Sequence, residues 1–273
     1  MDAYDIQNNT AHSSTNYPFV KFINKPVMIY YFIDPLCKEC WTIEKSIKKL
    51  TMKYGAFFNV RPIISHFFSV PTSHCKDRFP MDQWNSYYIS IGIKAAALQG
   101  NKASRDFLRN IQELIFLYQT IDSTEEVLYE AAIQANLDIS EFKNDLFSPS
   151  ALKAYQGDMR LIQEMEVNQF PTLVFFSQHI EDYSIKISGL QSYETYAYLL
   201  KKMLQSNTNT KQRIPPLEIY LRNYKRVQTE EVAFIFDLTI IEAENKLKKL
   251  QLKQKVKKVE SNGRTFWEYR GEY

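Results

Sequence analysis

Two cysteines three residues apart, Cys37 and Cys40, are the side chains of this chain best suited to chemistry. They follow an apolar run, Met28-Ile29-Tyr30-Tyr31-Phe32-Ile33, and a turn at Asp34-Pro35-Leu36, and they open a helical pattern. A sulfur at a helix start lies near backbone N–H groups without intrahelical acceptors, which favours its thiolate. A second sulfur one turn on can close a disulfide with the first or resolve a mixed one. Lys38 and Glu39 between them bring opposite charges. Three readings stand: a redox-competent or redox-sensing pair, an inert pair, or half of a zinc site. The zinc reading needs Cys75, His66 or His74 as partners, at a spacing that fits no compact zinc module. No metal or cofactor is expected. Cys75, beside Lys76, Asp77 and Arg78, reads as an exposed free thiol.

A second motif belongs with the first. Phe170-Pro171-Thr172 stands directly before an apolar strand pattern, a position that favours a cis peptide bond in a tight turn. In a strand–helix–strand fold of the kind that presents two cysteines this way, such a loop faces the pair and offers backbone groups to an extended partner. Phe170 is bulky for that place, which argues against a turnover catalyst.

The elements that must position these residues follow from periodicity and punctuation. Val27 to Ile33 is continuously apolar and suits a central strand buried on both faces. The helix after it sets Cys37, Trp41, Ile43, Ile47 and Leu50 on its apolar side, with Glu44, Lys45, Lys48 and Lys49 on the rest. A strand from Phe57 to Ser65 is irregular at Pro62. Helical patterns then cover Trp84–Leu98, Ser104–Gln119, a segment opened by the capping box Ser123-Thr124-Glu125-Glu126, a short one at Asp138-Ile139-Ser140-Glu141, and one from Pro149 to Glu166. Strands return at Leu173–Phe176 and Ser184–Ser188, and a helix from Tyr193 to Leu204 closes the set. The expected fold is α/β: a thioredoxin-like sheet with an inserted helical lobe at about 80–167, the whole domain covering 26–204.

The flanks read differently. Residues 1–25 are polar and mixed, a flexible tail in which His12 has no evident role. Residues 205–213 are a Ser/Asn/Thr/Lys linker. Residues 214–273 form a small α+β domain: helices at Pro216–Arg226, Thr229–Phe236 and, after the capping box Thr239-Ile240-Ile241-Glu242, to Leu250. Strands at Lys255–Val259 and Thr265–Tyr269 meet at Asn262-Gly263, a favoured hairpin turn. Three helices and a hairpin are the plan of a winged helix. Trp267 and Tyr269 should alternate with Phe266 and Glu268, one set packing inward.

Bulk properties bound the function. The chain has 273 residues, 45% hydrophobic and 24% charged, with a net charge of +3. From Gln212 onward there are 13 basic and 9 acidic residues, net +4, against 21 and 22 before it. The lysines of the last domain could touch phosphates, but Thr239, Ile240 and Ile241 stand where a recognition helix needs base-reading side chains. A protein contact is therefore expected there rather than nucleic acid. Three cysteines exclude a disulfide-dense scaffold, and neither a signal peptide nor an apolar span of about 20 residues is read. The expected location is the cytoplasm, without membrane association.

The combination is more specific than its parts. The Cys37/Cys40 pair, the helical insert and Pro171 resemble the DsbA-like branch of the thioredoxin superfamily. The run from Phe32 to Trp41, Ala95-Ala96 to Gln99-Gly100, Phe107-Leu108-Arg109-Asn110, Pro171-Thr172-Leu173 with Phe175-Phe176, and Pro216-Leu217-Glu218 are similar to the YjbH/SpxH family of adaptor proteins, over nearly the whole chain. That resemblance implies a non-enzymatic adaptor that binds the transcriptional regulator Spx and promotes its degradation by the ClpXP protease, contacted directly or through the client. It implies a stress-response setting. Cys37 and Cys40 would then modulate or sense, with Phe170, Pro171 and Thr172 as the loop beside them. The alternative is a cytosolic thiol-disulfide oxidoreductase using Cys37 and Cys40.

Overall fold

The computed structural model describes residues 25–66, 83–118, 124–177, 184–204, 214–261 and 263–271. The chain divides into two compact units, one taking residues up to 43 and 59–204, the other 44–58 and everything from 205 on.

In the first unit a four-stranded sheet has the order β2-β1-β3-β4, from β1 (Val27–Ile33), β2 (Phe58–Ile64), β3 (Thr172–Ser177) and β4 (Ser184–Ser188). All seven positions of β1 are buried, as a continuous apolar run in a central strand requires. β3 runs antiparallel to β1, and β4 antiparallel to β3. Ser65 N–H donates to Ile33 O at 2.8 Å, so the C-terminal ends of β1 and β2 lie side by side. That is the parallel arrangement made by a strand–helix–strand unit, here through α1 (Lys38–Tyr54). α7 (Tyr193–Met203) packs on β3 and is capped by the Ser192 hydroxyl, which accepts from Thr195 N–H at 3.2 Å. This is the thioredoxin-like order expected from the sequence.

The helices between β2 and β3 are α2 (Gln83–Leu98), α3 (Asn101–Glu113), α4 (Thr124–Gln134), α5 (Ile139–Asp145) and α6 (Pro149–Glu164). Local chemistry sets their starts: Asp138 and Ser148 cap α5 and α6 by accepting from Glu141 N–H and Ala151 N–H, and Pro149 opens α6. Asp158, on α6, fastens this layer to the sheet. Its carboxylate accepts from Ile64 N–H at 2.6 Å and pairs with Lys94 of α2. Burial pushes the Asp158 carboxyl above its ordinary range, with Lys94, the Ile64 N–H and Arg61 opposing. α3 departs from the expected single helix over Ser104–Gln119. It starts earlier, after Gly100 at φ +119, and at Leu114–Tyr118 the chain passes into a π turn. The capping-box residue Ser123 lies outside the described residues, as do His12, His74, Cys75 and the linker 205–213.

The second unit carries α8 (Leu217–Tyr224), β5 (Arg226–Gln228), α9 (Thr229–Phe236), α10 (Ile240–Leu252), β6 (Val256–Ser261) and β7 (Arg264–Tyr269). Its sheet is antiparallel in the order β5-β7-β6. Tyr220, Leu221, Val232, Ile235, Leu247 and Trp267 form its core, and Trp267 Nε1–H donates to Thr229 Oγ1 at 3.0 Å. The Thr239/Glu242 capping box is present in both directions. Three expectations need correcting. The helix expected to reach Arg226 stops at Tyr224, because Lys225 takes φ 58 and the next three residues pair with β7. Phe266 and Trp267 are both buried, so β7 is covered on both faces there rather than on one. Lys49 of α1 is 5% exposed rather than decorating a solvent face, and Lys53, one turn on, is 8% exposed. Both pair with Asp237, Lys49 at 2.6 Å, while Lys48 pairs with Glu231 at 2.8 Å. The division between the units falls inside α1.

Candidate functional site

The turn that leads from β1 into α1 is built by Asp34. Its Oδ1 accepts from Leu36 N–H at 2.9 Å, and its carbonyl accepts from Cys37 N–H at 3.1 Å. An aspartate that binds its own backbone two residues on makes a turn in this way. The carbonyl of Cys37 accepts from Trp41 N–H at 3.0 Å, so Cys37 is the flanking residue of α1 and Cys40 lies in its first turn. Tyr31, three residues before Asp34 on β1, donates its hydroxyl to Cys40 O at 2.7 Å. The strand thereby holds the cysteine turn from beneath.

Both cysteines are 0% exposed. The two are not bonded to each other. Their burial contrasts with the exposed, electropositive setting that reactive cysteines occupy. Lys38 is exposed and Glu39 half-buried.

The Phe170–Pro171 peptide is cis, as its position before an apolar strand suggests. Phe32 pairs with Thr172 in the sheet register, which sets Pro171 beside the end of β1 and so at the same end of the sheet as the cysteine turn. The loop is tied down on all sides. Thr172 Oγ1 donates to Gln169 O at 2.7 Å and lies 3.0 Å from Ser188 Oγ. Gly189 N–H donates to Pro171 O at 2.8 Å. Gly189 adopts φ +74, and a Cβ there would stand 3.0 Å from Gln169 Nε2, so this position requires glycine. Phe170 is fully buried.

Two further residues join the site without any signal in the sequence. Tyr196 on α7 is 0% exposed; its hydroxyl accepts from Gln191 N–H at 2.8 Å and donates to Gly189 O at 3.4 Å. Burial pushes its hydroxyl far above the ordinary range, the Gln191 N–H opposes this, and the negative charge that Cys40 and Glu39 can carry adds to it. Tyr196 thus braces Gly189, whose N–H holds the Pro171 carbonyl. Phe116, in the π turn, lies flat on Trp41 with ring centroids 5.3 Å apart and planes 11° apart. Helical periodicity cannot place Phe116 there, because a π turn breaks the period. Tyr31 and Tyr196 read only as core positions.

The zinc alternative fares differently. His66, at the end of β2, packs between Tyr87 and Tyr155, with its Nδ1 paired to the Tyr155 hydroxyl. Among the described residues no three His, Cys, Asp or Glu side chains gather as a metal site would need.

Comparison with known proteins adds what geometry cannot. The family model described as Thioredoxin matches residues 30–198. The ClpXP adapter protein SpxH of Bacillus cereus is 38% identical over 272 residues, covering 90% of this chain and 91% of its own length. SpxH of Bacillus subtilis is 38% identical over 267 residues, covering 89% of each. Among solved structures, a candidate protein disulfide isomerase of Nitrosomonas europaea has a TM-score of 0.54 at 19% identity, over 67% of this chain and all of its own. The thiol-disulfide exchange protein alpha-DsbA2 of Wolbachia pipientis has a TM-score of 0.50 at 13% identity, over 66% of this chain and 83% of its own. These structures share the fold.

Proposed function

The chain belongs to the SpxH family of ClpXP adapter proteins, and from that premise we propose that it binds the transcriptional regulator Spx and promotes its degradation by ClpXP, as a cytoplasmic adaptor in a stress response. The observation that carries this reading is the extent of the likeness. The adapter relatives match about 90% of the chain, whereas the disulfide-exchange structures match about two thirds of it. What distinguishes an adaptor from an oxidoreductase is therefore sought in the whole chain, the second unit included.

The dithiol of Cys37 and Cys40, with the Phe170-Pro171-Thr172 loop beside it, modulates rather than catalyses. Two buried sulfurs that are not bonded to each other support this. The thioredoxin-like body of 26–204 grips the client, and the region 214–273 is a winged-helix-like contact module. Helices α8 to α10 followed by the β6–β7 hairpin support that description. Its leading helix face carries Ile240 and Ile241, the latter 71% exposed, which suits a protein partner better than base edges.

The test is a reconstituted degradation assay with ClpXP, Spx and this protein, oxidised and reduced. Acceleration of Spx loss is expected, and it should survive replacement of both Cys37 and Cys40 by alanine. No acceleration by the folded wild-type chain would end the adaptor reading. Catalysed disulfide exchange on a small dithiol, abolished by Cys37→Ala, would favour the oxidoreductase alternative instead.

A further inference from the structure

We propose that the second unit is a clasp for a lysine-bearing helix, and that the helix it holds is the second half of this chain's own α1. Residues 44–58 belong to that unit together with everything from 205 on. Lys45, Lys49 and Lys53 stand at i, i+4 and i+8, so they form one row along α1, with Lys48 and Met52 in the row beside it. On α9, Glu231, Phe234 and the capping residue Asp237 follow one another at intervals of three. The two sets meet. Lys45 and Lys49 both lie over the Phe234 ring, their ammonium groups 5.3 and 4.3 Å from its centroid. Lys49 and Lys53 share the Asp237 carboxylate. Lys48 pairs with Glu231 at 2.8 Å and lies 4.9 Å over the Tyr224 ring of α8. The Tyr220 hydroxyl donates to the same Glu231 oxygen, and Met52 packs against the core of the unit.

What is recognised is the lysine pattern. Lysines normally keep their ammonium groups in water. Lys49 and Lys53 are buried instead, and only a carboxylate or an aromatic face offsets the lost hydration. Asp237 and Phe234 supply both. The charges are complementary even though the chain from Gln212 onward carries a net +4, because the residues that meet α1 include Glu231 and Asp237. A helix with apolar or acidic residues at positions 45, 48, 49 and 53 would lose every one of these ammonium contacts. The partner that fits is therefore a helix with lysines at this spacing, and α1 provides it in cis. Residues 214–273 are held to α1 by side chains, and not only by the chain through 205–213. This goes beyond the adaptor reading and does not depend on it.

The test uses the full chain, immobilised through an N-terminal tag, with a protease cleavage site inserted in 205–213. After cleavage, release of the C-terminal piece is followed by surface plasmon resonance. At about 0.1 M salt the piece should stay bound, and at about 1 M, where the screening length falls to about 3 Å, it should leave faster. Asp237→Asn should speed release about fivefold, as loss of a half-exposed pair implies. Asparagine tolerates the positive φ of 54 at this position, so the backbone is kept. Lys49→Met/Lys53→Met, which keeps the apolar stems, should act likewise and flatten the salt dependence. Each variant is compared with wild type by near-UV circular dichroism before cleavage, and if either fails to fold, Glu231→Gln is read by the same criterion. Immediate release of the wild-type piece at low salt overturns the clasp. Release that neither salt nor these substitutions change overturns recognition of the lysines. Neither Spx nor ClpXP enters the measurement, so its failure leaves the adaptor reading where it stood.

Discussion

Replacing Lys94 by methionine tests what holds the helical layer to the sheet. The Asp158 carboxylate is buried, with its side chain 2% exposed, and meets the Lys94 ammonium and the Ile64 N–H. Methionine keeps the length and apolar stem of the lysine but removes the charge. Breaking a buried pair by deleting one partner costs about 3–5 kcal/mol, because the other charge is left uncompensated. Asp158 keeps its bond from Ile64, so the lower end, about 3 kcal/mol, is expected. That is more than a hundredfold in the folding equilibrium. In urea it displaces the midpoint by about 1–1.5 M for a slope of 2–3 kcal/mol/M. The loss has a pH signature. Burial already raises the Asp158 carboxyl, and without Lys94 its main opposition is gone. A carboxyl whose folded pKa lies above its unfolded value of about 3.9 contributes full stability below that value and loses it as pH rises through the folded one. The deficit of Lys94→Met should therefore be smallest near pH 4 and grow toward neutrality. Lys94→Met/Asp158→Asn should recover most of it, since no buried charge remains and the amide oxygen can still accept from Ile64. Urea titrations followed by circular dichroism at several pH values decide the matter. A deficit below about 1 kcal/mol at pH 7, or one flat in pH, would refute a desolvated pair as the fastening.

Other substitutions probe the second unit and the loop. At Asp237 burial alone would raise the carboxyl, but Lys49 and Lys53 outweigh it and hold it below its ordinary range. Its contribution is present above the unfolded pKa and lost as pH falls through the lowered one. Asp237→Asn should lower the Tm at pH 7 and match wild type in strong acid. With the carboxylate 56% exposed, the effect should stay near 1 kcal/mol and shrink in salt. Gly189→Ala should cost about 1–2 kcal/mol, from the positive φ and the approach to Gln169, seen as a lower Tm. Thr239→Ala removes one half of a capping box and should cost about 1 kcal/mol in a denaturant titration.

Local chemistry made much of the fold legible. β1 and α1 follow from an apolar run, a proline turn and helical spacing. The starts of α5, α6 and α10 follow from Asp138, Ser148-Pro149 and Thr239 with Glu242. The cis bond at Pro171 follows from its place before a strand. Each depends on residues a few positions apart, whose preferences act before any long-range contact forms. The π turn, the short β5 and the burial of Phe266 were not legible, since each is set by a neighbour distant in the chain. The same holds for Lys49 and Lys53, whose burial depends on Asp237, more than 180 residues later.

The candidate site divides in the same way. By itself the sequence determined that two cysteines would open a helix beneath a cis-proline loop, because strand, turn and helix signals lie next to them. Only the tertiary structure decided that the sulfurs are buried, that Tyr31 and Tyr196 hold the turn and the loop, and that Phe116 covers Trp41. Burial is a property of what the rest of the chain packs against a residue, and no spacing within residues 28–41 carries it.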